Sequence, residues 1–432
     1  MIYHLFEYLK QFDIPGQGLF NYLSFRAMLA SVAAMLIAFF AGRHIIAWLQ
    51  RKQIGETIRD LGLEGQMRKK GTPTMGGIII ILAVTVSVLL FADLTNIYII
   101  LLLVTTLWCG AIGFADDYIK VFKHNKEGMS GKWKLFLQVI LGFIVGLTVC
   151  FSNDIVVREE VKVSDSRFVD RDSEHLDIDS EMVVETSTWK AENVVKSTKT
   201  TIPFVKNHEF DYKMLSPFKG RWGWYSKWAI YVLMIVIVIT ACSNGTNLTD
   251  GMDGLSAGTS AIVGVVIGIL AWLSGNLLNS GYLNIMYIPG AGEIAIFMSA
   301  FVGALIGFLW YNSYPAQVFM GDTGSLTIGG IIGVGAILIR KELLLPILCG
   351  IFLVESLSVI IQRYYFKYTR HRYGEGRRVF KMSPLHHHFQ KEGIPALIKK
   401  PLHAIPEAKI VTRFWIIGLI LAVATLALLK IR

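Results

Sequence analysis

Charged side chains are scarce in this chain. Of its 432 residues, 17% are charged and 53% are hydrophobic, whereas soluble domains average about 25% charged residues. Apolar runs recur along the sequence, and a single run is ambiguous because a spanning helix needs about 20 residues. Ten such runs with glycine or aromatic ends favour an all-α polytopic membrane protein over a soluble core.

The predicted spans follow the apolar runs. They are 24–48, 75–92, 97–115, 134–151, 227–243, 256–273, 292–311, 325–340, 343–364 and 412–430. The span at 325–340 is short and ends in Arg340 and Lys341. The span at 343–364 contains Pro346 and Glu355, so we expect it to kink or break there.

Cysteine is also rare, and other features are missing altogether. The four cysteines lie in or beside apolar runs without metal-ligand spacing, so we interpret them as small buried hydrophobic residues. The first residues lack a compact signal peptide with a cleavage site, so we expect that nothing is removed. We find no internal repeat and no low-complexity tract.

Lysine and arginine in the loops predict the orientation. Three loops, within 51–74, 116–134 and 365–411, are rich in these residues, and ten spans place all three on one side. That side should be the cytoplasm, with both termini periplasmic and the protein multi-pass in the inner membrane. The short Arg340–Lys341 connection then falls outside, against the rule.

Residues 152–226 break the membrane pattern. This segment holds 14 acidic and 11 basic residues and alternates polar with β-branched or aromatic residues, a pattern that favours short strands. We therefore expect three parts: transmembrane helices in 1–151, a small, partly β periplasmic insertion at 152–226, and further helices in 227–432. The basic charge belongs to the membrane part and its inner loops, which suits anionic lipids and substrates; we expect no nucleic acid partner.

Acidic residues and glycines gather in the inner loops. Asp116 and Asp117 end an apolar run, and we expect them at the membrane surface because a charge at the bilayer centre costs roughly 2.5–3.5 kcal/mol. Adjacent carboxylates on a helix point about 100° apart, so both need not bind one ion. The glycines of GTPTMGG, at 71–77, predict backbone amides that approach a phosphate. The alternative is an ordinary loop with a helix N-cap at Thr74.

Two further segments carry oxygen ligands. In NLTDGMDG, at 247–254, Asp250 and Asp253 share a face if the segment is helical, or converge through a glycine turn. It is not an EF-hand, which needs more oxygen ligands. In NSYPAQVFMGDTGS, at 312–325, Asp322 stands between glycines, and Phe319 could stack on a flat base or simply pack.

Three consecutive histidines, His386, His387 and His388, complete the inner-loop clusters. Adjacent histidines seldom all bind one metal ion, but they titrate near neutral pH and can act as bases or donors to phosphate. Mg²⁺ prefers carboxylates together with phosphates. A Mg²⁺-assisted phosphoryl transfer at the inner surface accounts for the acidic, lysine-rich and histidine clusters together.

In this order, GTPTMGG, GFADDY, NLTDGMDGL, NSYPAQVFMGDTGSL and SPLHHHF resemble the phospho-N-acetylmuramoyl-pentapeptide transferase family. The resemblance covers about 1–150 and 227–432 and leaves out 152–226. It implies ten transmembrane helices, often a homodimer, and transfer of phospho-MurNAc-pentapeptide from UDP to undecaprenyl phosphate, which gives lipid I and UMP.

The resemblance also implies roles for individual residues. Asp322 would bind the metal with Asp117 as a further ligand, and Asp116 would be the base or nucleophile at the lipid phosphate. Phe319 would stack on uracil. The remaining residues expected to contact substrate are Lys69, Thr74, Lys134, Asn247, Asp250, Asp253, Asn312, Gly321 and Ser325, and the family's histidine motif would be 386–388.

Two other functions remain open from the sequence. A sister enzyme that transfers N-acetylglucosamine-1-phosphate would share the aspartates, although PLHHHF and NSYPAQVFMGDTGSL favour the first reading. A transporter would place its charges near the midplane with repeat symmetry, which this chain does not show. The insertion is either a tolerated loop or a contact site for periplasmic cell-wall proteins.

Overall fold

The protein is a bundle of apolar helices. The computed structural model describes residues 1–9, 17–52, 71–123, 125, 127–158, 161–162, 187–188, 194–203, 205, 209–283 and 285–429. Its helices are α1 Ile2–Leu9, α2 Leu23–Arg51, α3 Gly77–Phe91, α4 Ile97–Phe122, α5 Gly131–Phe151, α6 Gly220–Thr249, α7 Leu255–Ser274, α8 Leu277–Leu283, α9 Gly292–Asn312, α10 Gly321–Leu338, α11 Leu345–Leu348, α12 Gly350–Tyr373, α13 Leu385–Gln390 and α14 Glu407–Ala427. Short 3₁₀ turns lie at Gln17–Asn21, Tyr212–Leu215 and Glu342–Leu344.

Among the described residues, eight helices are long and apolar enough to cross a membrane. They are α2, α4, α5, α6, α7, α9, α10 and α14. A ninth span is possible in two pieces, since Glu342–Leu348 and Gly350–Tyr373 meet at 77°. These findings confirm the predicted polytopic all-α class and the break in the span that contains Pro346.

The helix at the predicted span 75–92 is shorter than the eight that could cross a membrane. This helix, α3, has 15 residues, so it is about 22 Å long at 1.5 Å per residue, less than the roughly 30 Å of a hydrocarbon core. The helix is short because residues 71–76 form a loop that folds against the start of α10. The apolar pattern alone had assigned part of that loop to the helix.

Helix α10 lies at the centre of the bundle. It packs against α3, α4, α6 and α7, and all of its residues from Thr323 to Leu338 are buried. Small residues permit such close packing of membrane helices, which lack a hydrophobic drive to associate. One end of α10 carries Asp322, and the other end leads to Arg340.

Among the described residues of 152–226 there are six short strands, which confirms the partly β character of the insertion. They are β1 Val157–Arg158, β2 Val161–Lys162, β3 Ser187–Thr188, β4 Val194–Val195, β5 Lys199–Thr201 and β6 Glu209–Asp211. They form three antiparallel pairs: β1 with β4, β2 with β3, and β5 with β6.

The β5–β6 hairpin covers the turn that follows α10. The Thr201 amide donates to the Arg340 carbonyl at 3.0 Å, and the Lys341 ammonium donates to the Thr201 hydroxyl. The Arg340 guanidinium lies 4.7 Å from the centre of the Tyr231 ring. Both basic residues are buried, and burial lowers the pKa of Lys341 to about 8. The charges that opposed the orientation rule are therefore enclosed by protein.

Candidate active site

Three carboxylates converge where α4 meets the start of α10. Asp116 and Asp117 lie inside α4, which continues to Phe122 beyond the predicted span, and Asp322 lies in the first turn of α10. One oxygen from each of the three lies within 4.8 Å of the others. The 100° between neighbours on α4 does not prevent this, because Asp322 in the first turn of α10 lies near both carboxylates.

Two ammonium groups lie among these carboxylates. Lys134 Nζ is 2.6 Å from Asp322 Oδ2 and 2.9 Å from Asp116 Oδ1. Lys120 Nζ is 2.7 Å from Asp116 Oδ2 and 3.2 Å from Asp322 Oδ2. Asp116 is fully buried and also accepts the Met129 amide at 2.6 Å. The two lysines therefore bridge Asp116 and Asp322 and offset part of their repulsion.

Asp117 has different partners. Its Oδ1 accepts the Asp322 amide at 3.1 Å, and its Oδ2 accepts the Thr323 amide at 2.9 Å and the Thr323 hydroxyl at 2.6 Å. Gly321 begins α10 with a φ of +71°, and a Cβ there would lie 2.6 Å from Asp117 Oδ2. Glycine is therefore required at 321 both for its φ and for space.

Asn247 links the last turn of α6 to this cluster. Its Nδ2 donates to Asp322 Oδ1 at 2.9 Å and to the Ser325 hydroxyl oxygen at 2.8 Å. Thr74 is buried on the other side, with its hydroxyl 3.0 Å from where a Cβ of Gly321 would lie. The structure thus brings five predicted site residues around Asp322: Asp116, Asp117, Lys134, Asn247 and Ser325.

The GTPTMGG segment does not form the predicted phosphate cradle. The Gly76 and Gly77 amides donate to the carbonyls of Phe319 and Met320 at 2.8 and 2.9 Å, and the Phe319 amide donates to Pro73. Met75 takes a left-handed φ of 72°, a conformation that costs about 1–3 kcal/mol for such a residue. The amides are engaged in fixing the loop before Asp322. The alternative of an N-cap at Thr74 is also wrong, since α3 begins at Gly77.

The 250–254 segment is a glycine turn between α6 and α7, not a helix, so Asp250 and Asp253 do not share a helical face. Asp250 caps the end of α6. Asp253 is buried, and its Oδ2 accepts the Ala316 amide at 3.0 Å. Asn312 Oδ1 accepts the Gly254 amide at 3.1 Å, and its Nδ2 donates to the Val318 carbonyl. Asp253 and Asn312 thereby join this turn to the loop before α10.

The structure shows less about the other residues that were predicted to bind substrate. Phe319 is half-buried in the loop before α10. Lys69 lies outside the described residues. The predicted contacts of Phe319, Asp250 and Lys69 with substrate stay predictions.

The three histidines have three environments. His388 Nδ1 accepts the Lys381 amide at 3.0 Å, and its Nε2 lies 2.8 Å from the Lys400 carbonyl. This arrangement requires a neutral ring, and burial lowers the pKa of His388 accordingly. His387 Nδ1 is 3.0 Å from Gln390 Oε1. His386 is fully buried beside Glu355. The run is thus partly a structural element of the loop.

Two residues of the cluster, Lys120 and Thr323, were not predicted from the sequence. Lys120 was grouped with a loop, but it follows Asp116 by four residues on α4 and therefore shares its face. That spacing would have found it if the helix had been extended past 115. Thr323, which binds Asp117, gave no signal beyond its position next to Asp322.

Comparisons with known proteins identify the family of this chain. The glycosyl transferase family 4 model matches residues 194–340, and signature 1 of the phospho-N-acetylmuramoyl-pentapeptide-transferases matches residues 69–81. Relatives named phospho-N-acetylmuramoyl-pentapeptide-transferase include one from Parabacteroides distasonis, 59% identical over 435 residues. Others come from Porphyromonas gingivalis (ATCC 33277), 54% identical over 435 residues, and Flavobacterium psychrophilum, 54% identical over 437.

Each of these alignments covers 100% of both chains. The similarity therefore extends through 152–226, and the expectation that the resemblance leaves out this segment is wrong for these relatives. At this identity and coverage, and with eight or nine described helices long and apolar enough to cross a membrane, the chain belongs to the phospho-N-acetylmuramoyl-pentapeptide-transferase family of membrane enzymes.

Proposed function

We propose that this enzyme transfers phospho-MurNAc-pentapeptide from its UDP carrier to undecaprenyl phosphate, forming lipid I and releasing UMP. The observation that carries the proposal is the cluster of Asp116, Asp117 and Asp322 with Lys120 and Lys134 at one end of a membrane bundle. An apolar acceptor can reach this end through the bilayer, and a nucleotide can reach it from water.

The charge of the cluster suits two phosphorylated substrates. Both carry negative charge, so their approach requires cations at the point of reaction. Lys120 and Lys134 lie between Asp116 and Asp322 and supply two of them. When phosphate arrives, each ammonium has an anion to bind in place of a carboxylate, and the carboxylates become free for other partners.

The donor set also fits Mg²⁺. Three carboxylates with oxygens within 4.8 Å offer the hard oxygen ligands that this ion prefers, and Mg²⁺ keeps waters and phosphates as its other ligands. Asp322 and Asp117 would hold the ion. Asp117 would use the oxygen lone pairs that do not accept hydrogen bonds from the start of α10. When bound, Mg²⁺ would neutralise charge on the transferring phosphoryl group.

In the reaction, an oxygen of the lipid phosphate bonds to the sugar-linked phosphorus of the UDP substrate. The bond from that phosphorus to the bridging oxygen breaks, and the electron pair leaves with UMP. Asp116 acts at the lipid phosphate, either as the base or by attacking the sugar-linked phosphorus first and forming a covalent intermediate. Incubation with nucleotide substrate and no lipid acceptor distinguishes the two, since only the second route accumulates labelled protein.

The nucleotide binds beside the two loops that meet at Asp253 and Asn312. Phe319 offers its ring for uracil, and Asp250 lies at the end of α6 in the adjoining turn. Asp253 and Asn312 shape this surface through their backbone hydrogen bonds. Lys69 and Thr74 complete the proposed substrate contacts on the loop before α3, and the histidines do so on the last inner loop.

The orientation follows from the basic loops: this end faces the cytoplasm of a cell with an inner membrane, and the termini and 152–226 face the periplasm. The insertion presents its strands to that side, where contact with cell-wall proteins is its proposed role. A homodimer is the proposed assembly.

The test is an assay in detergent with UDP-MurNAc-pentapeptide and undecaprenyl phosphate. We expect Mg²⁺-dependent UMP release and a lipid-linked product, and no turnover with UDP-N-acetylglucosamine as control. Equal turnover of both nucleotides, or none of the first, would contradict the proposal.

A further inference from the structure

Glu355 is a buried carboxylate with no role in the chemistry above. It lies in α12, beyond the bend between α11 and α12, and its side chain is fully buried. Removing a carboxylate from water costs several kcal/mol unless it is paired and hydrogen-bonded. Its position therefore requires a specific partner.

That partner is His386, in the short helix α13. The His386 amide donates to both Glu355 oxygens, at 3.1 and 3.3 Å, and His386 Nδ1 lies 3.2 Å from Glu355 Oε2. His386 is also fully buried. A carboxylate so close to Nδ1 favours a proton on that nitrogen, which leaves Nε2 as the other reactive atom of the ring.

The far nitrogen of His386 points at the turn between α6 and α7. A Cβ built on Gly251 would lie only 2.2 Å from His386 Nε2. Gly251 stands between Asp250 and Asp253, on the surface where the nucleotide is proposed to bind. Among the residues that the structure describes, both ring nitrogens of His386 are buried without a hydrogen-bond partner. The 3.2 Å approach of Nδ1 to Glu355 is therefore a close charge contact, and Nε2 is left without a protein partner.

We propose that Glu355 is a positioning residue for the transfer reaction. It fixes the ring orientation and the tautomer of His386, so that Nε2 is presented across Gly251 to the phosphorylated substrate. The inference rests on the proposed phosphotransfer function and adds a carboxylate–histidine pair to it. Removing the outer partner of a metal-bound histidine typically costs 10–100-fold in affinity or activity, and we expect an effect of the same order here.

Glu355→Gln tests the charge, because glutamine keeps the size and can still accept the His386 amide with its carbonyl oxygen. We expect kcat to fall about 10–100-fold with little change in KM for the nucleotide and in the melting temperature. Glu392→Gln is the matched control, since Glu392 is an exposed glutamate just after α13, near His403. It should retain wild-type turnover.

A double-mutant comparison separates positioning from simple support of the fold. If Glu355 acts through His386, then Glu355→Gln should have no further effect on kcat in a His386→Asn background. Independent, multiplicative losses would overturn the proposal, as would wild-type kcat for Glu355→Gln alone. Gly251→Ala, whose methyl group would meet Nε2, should lower kcat in the wild-type background and not in His386→Asn.

These outcomes are distinct from failure of the proposed function. An inactive wild-type enzyme with UDP-MurNAc-pentapeptide would refute the phosphotransfer itself. An active wild type with an unimpaired Glu355→Gln variant would refute only the positioning role.

Discussion

Asp117 binds the start of α10 through Thr323: one carboxylate oxygen accepts both the amide and the hydroxyl of Thr323, at 2.9 and 2.6 Å. A buried carboxylate is favourable beside the free amides at the beginning of a helix. Because Asp322 is the neighbour of Thr323, this contact also sets the position of the Asp322 carboxylate. Asp116, one residue earlier, binds lysines instead, so the paired aspartates have separate partners.

Asp117→Asn should therefore reduce stability as well as activity. Hydrogen bonds to charged groups contribute about 1.5–3 kcal/mol each, and the amide of asparagine can replace only part of them. We expect a lower melting temperature and loss of most turnover. Thr323→Val, which removes the hydroxyl alone, should give a smaller shift in the same direction. An unchanged melting temperature for Asp117→Asn would contradict the role at the helix start.

Asp322→Asn should abolish Mg²⁺-dependent turnover while the protein still inserts and folds. The substitution keeps the shape but removes a negative charge that Lys120, Lys134 and the proposed metal share. Turnover measured over a range of Mg²⁺ concentrations checks this. Asp154→Asn, the same change at an exposed residue of the insertion, is the control. Near-wild-type lipid I formation by Asp322→Asn would rule out the metal assignment.

Asp116→Asn should lower the rate with little change in nucleotide binding. General base action contributes roughly 10²–10⁴-fold, and nucleophilic action contributes more. The measurement combines single-turnover rates with a nucleotide titration. Parallel losses in affinity and rate would assign Asp116 to binding.

Phe319→Ala should have the opposite effect. Stacking of a base on an aromatic ring contributes about 1–3 kcal/mol, which corresponds to roughly 5–150-fold in affinity at 1.4 kcal/mol per factor of ten. Titration with the UDP substrate should show this weakening, whereas Phe319→Tyr should bind normally. Unchanged affinity for the alanine variant would mean that Phe319 only packs.

The insertion should divide into a dispensable part and a supporting part. Residues 162 and 187 are paired across β2 and β3, so a short Gly/Ser turn can replace 163–186, and we expect unchanged lipid I formation. Replacing 158–216 also removes β5 and β6, which cover Arg340 and Lys341. Leaving buried charges without partners costs several kcal/mol, so this variant should melt at a lower temperature.

Activity of the larger deletion tests whether the insertion acts in catalysis. We expect the folded fraction of that variant to turn over substrate at the wild-type rate, because β5 and β6 contact the end of α10 away from Asp322. A folded deletion with severely reduced turnover would show that the outer segment supports the active site through α10.

Much of the fold was determined by the sequence alone. Long apolar runs must form helices in a membrane, because every backbone amide there needs a partner within the protein. A helix supplies those partners within its own segment, so this rule can be applied to each run separately. The spans, the broken helix near Pro346 and the buried cysteines follow from it, and so does the polar insertion. The acidic and histidine motifs were visible for the same reason, since charges are rare in such runs.

Only the tertiary structure decided what each motif residue contacts. The two glycine amides at 76 and 77 pair with the loop before Asp322, and no periodicity encodes a partner more than two hundred residues away. Likewise, Asp116 and Asp117 look equivalent in sequence, but α10 packs against one and the lysines against the other. Glu355 looked like a break in a span until the fold placed it against His386. These contacts depend on how helices pack, which is a long-range property that local patterns do not contain.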